Sequence, residues 1–367
     1  MTILAYISVT ICALYIGLQV WQLLVLLLYK NQPEPAPVDW PEISILVAAR
    51  NEEENIGNCL QALCQLNYPA EKLHIIVGDD QSTDKTATIA REIAGSDSRI
   101  QIISIKDDGS GLKAKARVMA QLDQAAKGDY YLVTDADVQV KPDWAAMMVR
   151  QLHARTGVAS GTTMVKGKSV WGKLQGIDWA YFMGLLNAIS YSGVPATAVG
   201  NNMIVRKKAY WQTGGYANIR FSITEDYKLY SEICRHGWGW NNAMCPEVLA
   251  YSAPTNGYLP LLHQRKRWLS GGRELPFYWW ILFGVFALYY ISVPFLFLVA
   301  WPVALAIAAL KWTLQTLQIN AIYSHVKEPK PAIWQHLMYE VYLWAVTIST
   351  ALFFVLPVKT IWKERKY

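Results

Sequence analysis

Three kinds of hydrophobic pattern follow one another along the chain. Residues 3–29 are almost continuously apolar and end at Lys30. About 20 apolar residues cross the ~30 Å hydrocarbon core of a bilayer, so residues 1–30 are predicted to form a transmembrane helix. No Lys or Arg precedes the run and no small-residue cleavage site follows it, which argues against a secretory signal peptide. The first positive charge follows the span, placing the N-terminus outside and the next domain inside. Residues 31–41 carry Pro33, Pro35, Pro37 and Pro41 and read as an extended linker.

From residue 42 to 275 the pattern shortens into strand and helix lengths. Residues 43–49, 73–78, 100–105 and 130–134 read as buried strands, with helices between them near 85–94 and 113–126. Asn51 is predicted to cap a helix whose first turn is Glu52-Glu53-Glu54. This alternation predicts an α/β domain with a parallel sheet covered on both faces. Further strands are expected at 158–165 and 201–205, and a helix at 224–235. Residues 174–191 are apolar and aromatic but broken by Asp178, Asn187 and glycines, too mixed to span. An amphipathic helix at the membrane interface and a plain core helix both remain open for them.

Residues 276–358 return to apolar character, enough for two to three spans. Residues 277–310 exceed one span and predict a hairpin at or near Pro294; residues 333–358 give a further span. The interiors of these spans are read as free of charge. A basic tail, 359–367, follows. Three later spans would leave that tail outside, whereas its charges favour the inside. Either one segment does not cross or the tail breaks the rule.

Composition sharpens this picture. A hydrophobic fraction of 53% exceeds that of an ordinary soluble protein, while the charged middle does not suit a pure helix bundle. The net charge of +6 comes without a Lys/Arg run, and 16 Trp and 21 Tyr accompany it, which favours an anionic membrane surface over nucleic acid. Five cysteines, an odd number without a CxxC, indicate a reduced cytosolic domain, with Cys59 and Cys64 as core residues.

Candidate chemistry lies at the predicted strand ends, where parallel sheets bind ligands. Asp79-Asp80 ends the second strand and Asp135-Ala136-Asp137 the fourth. The latter pair suits a hard divalent cation, which takes oxygen ligands and bridges phosphate oxygens. In Asp79-Asp80-Gln81-Ser82-Thr83-Asp84, Ser82 or Asp84 suits a helix cap while Asp80 reaches toward a ribose or base. Asp107-Asp108-Gly109-Ser110-Gly111 offers only a GxG and not a dinucleotide fingerprint. It reads as a loop leading to Lys113 and Lys115, with Lys113 the better placed to meet a phosphate. Thr224 suits an N-cap with Glu225 and Asp226 in the first turn; the functional reading, which the cap does not exclude, has Asp226 accept a proton from an attacking hydroxyl as general base. Gln264-Arg265-Lys266-Arg267-Trp268, just before the spans, also suits a basic cluster on lipid headgroups.

Ala49-Arg50-Asn51-Glu52, Asp79-Asp80, Asp135-Ala136-Asp137, Gly200-Asn201-Asn202-Met203 with Gly214-Gly215-Tyr216, Thr224-Glu225-Asp226 and Gln264-Arg265-Lys266-Arg267-Trp268 occur in that order. Together with the spans they resemble a membrane-integrated glycosyltransferase of family 2, from about Ile43 to the spans after Gly272. The resemblance implies a Rossmann-like GT-A domain between N- and C-terminal transmembrane helices. It implies a nucleotide-diphosphate sugar, expected as a UDP-sugar, bound with Mg2+ or Mn2+. Arg50, Glu52, Asp80, Lys113 and Asp135 are then expected at the nucleotide sugar, Asp135 and Asp137 at the metal, and Asp226 as the base. Glu225, Gln264, Arg265, Arg267 and Trp268 would close over the diphosphate and acceptor, an arginine neutralising the leaving group and Trp268 stacking on acceptor or sugar. A single displacement inverts the anomeric centre.

The Gln-x-x-Arg-Trp mark is shared by cellulose and hyaluronan synthases and by ceramide glucosyltransferases. The small membrane portion favours a lipid acceptor. So does Trp362-Lys363-Glu364-Arg365-Lys366-Tyr367, similar to the basic tail of ceramide glucosyltransferase-like proteins although Glu364 replaces the usual Gly. A processive polysaccharide synthase is the alternative. A catalytically dead binding protein fits the full set of carboxylates and arginines less well, and a transporter fits the few spans less well. The expected setting is the inner (plasma) membrane, with the catalytic domain cytosolic and membrane lipids, not nucleic acid, as partners.

Overall fold

The computed structural model describes residues 3–109, 111–219, 222, 224–359, 361–362 and 365–366. Ser110 and Ile223 lie outside the described residues, as do Lys363, Glu364 and Tyr367 of the tail compared above. The chain enters through helix α1 (Ile3–Leu28) and begins its sheet at β1 (Ile43–Ala49). Helix α2 (Ile56–Cys64) leads to β2 (Leu73–Asp79), α3 (Thr86–Ala94) to β3 (Ile100–Ser104), and α4 (Ala114–Ala125) to β4 (Tyr130–Asp135). These four strands pair in parallel in the order β3-β2-β1-β4. Ile43, Ile45 and Val47 of β1 are fully buried; each such side chain contributes about 1.5–3 kcal/mol by leaving water. That burial anchors the strands whose polar ends form the site.

The remaining strands correct the all-parallel expectation. After β4 come β5 (Val138–Val140), α5 (Trp144–Arg150), β6 (Thr156–Ser160), β7 (Thr163–Val165), α6 (Val170–Tyr191) and β8 (Asn202–Arg206). β8 runs antiparallel to β4, with Asn202 opposite Thr134, and β6 runs antiparallel to β8. The chain therefore re-enters the sheet at the carboxyl end of β4, which sets Gly200 and Asn201 beside Asp135. The single strand expected over 158–165 is two, divided at Gly161-Thr162. Helices α7 (Lys207–Gln212), α8 (Gly215–Asn218) and α9 (Glu225–Arg235) precede β9 (Gly239–Asn242), which pairs with β6, and β10 (Ala250–Ser252), which lies between β5 and β7.

Helix α10 (Tyr258–Gly271) joins this domain to α11 (Phe277–Val299), α12 (Trp301–His325) and α13 (Ile333–Val355). α1, α11 and α13 are each long and apolar enough to cross a membrane. Pro294 lies inside α11, and the chain turns at Ala300 instead. α6 packs between β7 and β9 on one side and α1, α12 and α13 on the other. The apolar region does hold charges, contrary to expectation. Lys311 of α12 is fully buried, with Nζ 2.5 Å from Glu340 Oε2 of α13. A charge in such surroundings is tolerated when it is paired.

Candidate active site

Two loops at adjacent strand ends form the first half of the site. α2 begins at Ile56 rather than after Asn51, because Asn51 ties the loops together instead of capping. Its backbone N–H donates to Ser82 Oγ (3.1 Å), and its Oδ1 accepts from the Thr83 N–H (2.9 Å). Asn51 and Gln81 both take left-handed backbone, φ 49° and 59°, a conformation few non-glycine residues adopt. Arg50 Nη1 donates to the carbonyl oxygens of Asp80 (2.5 Å) and Gln81 (3.2 Å). Asp84 accepts from the N–H of Thr86 (2.9 Å) at the start of α3 and from the N–H of Glu53 (3.1 Å). Burial works against its charge, but these donors hold its carboxyl below the ordinary range.

Asp80 is 3% exposed, and Arg117 Nη2 of α4 donates to its Oδ1 at 2.9 Å. Arg117 did not stand out in the sequence, since it sits in the first turn of α4 beside Lys115 with no acid near it in the chain. Glu52 Oε2 accepts from Asn55 Nδ2 (2.9 Å), and its N–H donates to Thr86 Oγ1 (2.7 Å).

The second half of the site converges on Gly200. Its N–H donates to Asp226 Oδ2 (2.8 Å), and its carbonyl accepts from Lys115 Nζ (3.0 Å). The same ammonium lies 2.5 Å from Asp135 Oδ1 and 4.0 Å from Glu225 Oε1. One residue's two backbone groups thus connect Asp226 to Asp135. A Cβ at Gly200 would lie 2.7 Å from Asp226 Cβ, so only glycine permits this approach. Asn201 and Asn202 hold the segment from behind: Asn201 Oδ1 accepts from Thr163 Oγ1 (2.9 Å) and Asn202 Oδ1 from Trp144 Nε1 (2.8 Å).

Lys115, not Lys113, reaches these carboxylates; Lys113 is exposed at the start of α4. Burial disfavours the Lys115 charge, yet Asp135 and Glu225 outweigh it and hold its pKa above the ordinary value. Asp226 Oδ1 accepts from the Tyr227 N–H at 2.8 Å. Thr224 stands at the N-cap position without a capping hydrogen bond from its side chain, which instead lies against Gly271.

Glu225 is pushed up to about 7, first by burial and then by the Asp226 carboxylate, while Lys115 and Arg267 pull it down. A raised carboxyl pKa favours the fold below the ordinary value of 4.5 and loses that contribution as pH rises through about 7. The metal-free protein is therefore expected to lose stability over this interval, by about 3 kcal/mol at most from Glu225. Glu225→Gln should flatten the dependence. Thermal unfolding of both forms between about pH 5 and 8 checks this; equal slopes would remove Glu225 as the cause.

α10 carries Gln264–Trp268 past the site. Gln264 Oε1 is buried with no hydrogen-bond partner among the described residues. Arg265 forms an ion pair with Asp178 of α6 and lies 4.6 Å over the Trp268 ring. Trp268 meets Trp179 edge-on at 5.3 Å. Arg265 is thus engaged away from Asp226, whereas the charge of Arg267 acts on Glu225. The sequence offered one sign of the Arg265 contact, a lone acid at Asp178 within an apolar run.

Among the described residues no three His, Cys, Asp or Glu side chains form a metal cluster. Asp135 and Asp137 nonetheless fit a hard divalent ion: they are oxygen donors on one turn, and Asp135 already attracts an ammonium. Asp137 Oδ2 is oriented by Ser252 Oγ at 2.8 Å. Such an ion, if held by these two carboxylates, would take its remaining ligands from oxygens outside them.

Comparisons with known proteins agree with this architecture. The family model described as glycosyl transferase family 2 matches residues 44–214, and that for glycosyl transferase family group 2 matches residues 131–358. The beta-monoglucosyldiacylglycerol synthase of Synechocystis sp. is 30% identical over 270 residues, 69% of this chain and 55% of that protein. The poly-beta-1,6-N-acetyl-D-glucosamine synthase of Staphylococcus aureus is 27% identical over 242 residues, 64% of this chain and 55% of that protein. The chain spans about half the length of the curated relatives it matches. The mannosyltransferase of Pyrobaculum calidifontis, solved with GDP-Man and Mn2+, superposes with a TM-score of 0.64 at 19% identity. That match covers 96% of this chain and 99% of the mannosyltransferase, and it shows the shared GT-A fold. With the second family model alone taking in more than half of its residues, the chain belongs to glycosyl transferase family 2.

Proposed function

We propose that the protein transfers one sugar from a UDP-sugar to a hydroxyl of a membrane lipid at the cytosolic face of the plasma membrane, with inversion. The observation that carries this reading is Gly200, whose N–H fixes Asp226 while its carbonyl holds Lys115 against Asp135. The proposed base and the phosphate-side carboxylate are thereby tied to the N–H and the carbonyl of one residue. On this reading Arg50, Glu52 and Asp80 would contact the nucleoside, and Lys113, exposed at the start of α4, would reach only the outer edge of the donor. Asp135 and Asp137 would hold Mg2+ or Mn2+, which supplies charge stabilisation to the leaving diphosphate.

Asp226 has each carboxylate oxygen fixed by one backbone N–H, leaving a lone pair to accept the acceptor's proton. Lys115 stands where it meets the same phosphate charge once the donor displaces part of its contact with Asp135. Arg267, Gln264 and Trp268 close the acceptor side, and the buried Gln264 Oε1 accepts a donor group from a bound molecule. Glu225, protonated in part near neutral pH, keeps a second negative charge from crowding Asp226.

The diacylglycerol in the name of the Synechocystis relative and the few membrane helices support a lipid acceptor. The Staphylococcus relative is named as a polymer synthase, so product size is the discriminating test. Purified protein is given UDP- and GDP-sugars, Mn2+ and total membrane lipids, and the labelled product is extracted and sized. A lipid-soluble product with one added sugar is expected. A water-soluble ladder would replace the proposal with a processive synthase.

A further inference from the structure

Length and composition alone would send α13 across the membrane, but its contacts hold both ends on one side. The connection just before it carries Glu328, which accepts from Tyr251 Oη of β10 and lies 3.7 Å from Lys141 Nζ after β5. Both partners belong to the catalytic domain. Its final turn is held by Lys266 of α10, whose Nζ donates to the carbonyls of Phe353 (3.0 Å) and Leu356 (2.6 Å). Those carbonyls belong to a helix C-terminus, which leaves them without intrahelical partners and attracts a cation.

α10 cannot itself carry that contact to the far side. It follows β10, and its last residue, Gly271, packs against Thr224 of the active site. Tyr258 at its start donates to the Ala345 carbonyl (3.0 Å) and Ser349 Oγ (2.8 Å), so α10 follows α13 from Ala345 to Leu356. A 23-residue helix is about 34 Å long, so a crossing would separate its ends by the full hydrocarbon thickness. We infer that α13 lies along the membrane surface on the catalytic side and does not cross, so that the basic tail emerges beside the catalytic domain.

The lipid interface is the partner of its outer face. Ile333, Leu337, Val341, Ile348, Leu352 and Val355 are exposed at helical spacing. The opposite face is fastened to protein: Tyr339 Oη donates to Asp178 Oδ1 (3.0 Å), and Glu340 pairs with Lys311. On that inner face Trp344 also meets Tyr290 of α11 at 4.5 Å. Of the helices before α13, α1 and α11 are long and apolar enough to cross, and α12 returns the chain toward the catalytic side. The His325 ring lies 2.7 Å from the Leu26 carbonyl, which brings the ends of α12 and α1 together on the catalytic side. An outside N-terminus thus leaves everything after α12 inside, and the positive tail obeys the charge rule.

The test uses full-length protein in sealed vesicles and a membrane-impermeant maleimide, with labelled peptides read by mass to set aside the native cysteines. Three positions exposed in the structure are compared: Glu71→Cys in the catalytic domain, Trp301→Cys at the α11–α12 turn and Lys359→Cys after α13. Lys359→Cys is expected to label with Glu71→Cys and to lose labelling in vesicles of the orientation that labels Trp301→Cys. Detergent-opened vesicles should label all three. Lys359→Cys reacting from the same side as Trp301→Cys would overturn the inference and restore α13 as a span.

Discussion

Asp226→Asn is expected to cost about 10²–10⁴ in kcat, the range for losing a general base, while donor binding persists. Asparagine keeps the size and accepts the Gly200 N–H through its carbonyl oxygen, but its amide cannot take a proton from the acceptor hydroxyl. The loss should therefore appear in kcat at saturating donor and in single-turnover transfer, with UDP affinity close to that of the parent. Comparable kcat in variant and parent would remove Asp226 as the base. A variant that instead loses UDP binding would mean that the carboxylate acts in holding the donor.

The second large effect is expected at Asp135. Asp135→Asn removes the closest partner of the Lys115 ammonium and one of two proposed metal ligands. Breaking a fully buried pair costs about 3–5 kcal/mol when nothing replaces the lost charge, and the cost here is smaller because the Asp135 side chain is 36% exposed. Glu225 and the Gly200 carbonyl still hold Lys115, so the fold should survive the substitution. The clearer readout is the gain in UDP affinity on adding Mn2+, expected to fall at least about tenfold in Asp135→Asn, the scale of one lost charge-assisted contact. Asp137→Asn should show the same loss, while its contact with Ser252 Oγ is one that asparagine keeps through its carbonyl oxygen. An unchanged Mn2+ gain in both variants would withdraw this pair as the metal site.

Much of the architecture was legible because burial and spacing are local signals. Residues 43–49 and 73–78 formed strands as expected, each placing polar residues at its carboxyl end. The direction of β8 was not legible: a run such as Asn202–Arg206 carries no mark of which neighbour it joins or which way it points. That reversal determines the site, since it brings Gly200 to Asp135. The turn at Ala300 was missed for the opposite reason. Pro294 is a strong local breaker, but an apolar helix packed against α1 and α12 tolerates it.

The carboxylates were readable from their type and position, whereas their partners were not. Lys113 and Lys115 look alike in sequence, yet only Lys115 is turned by α4 toward Asp135 and Gly200. Arg117 was passed over, and Asp178 was noticed only as a break in an apolar run, because each does its work through a residue far away in the chain, Asp80 and Arg265. Glycine at position 200 was quoted as part of a pattern. Its physical reason, the absence of room for a Cβ beside Asp226, needed the fold.

The most direct measurement on the central claim is the anomeric configuration of the product, read by NMR coupling constants on the transferred sugar. A base at Asp226 that activates the acceptor for attack opposite the diphosphate requires a β-linked product from an α-linked donor. An α-linked product would contradict the single displacement and, with it, the assignment of Asp226.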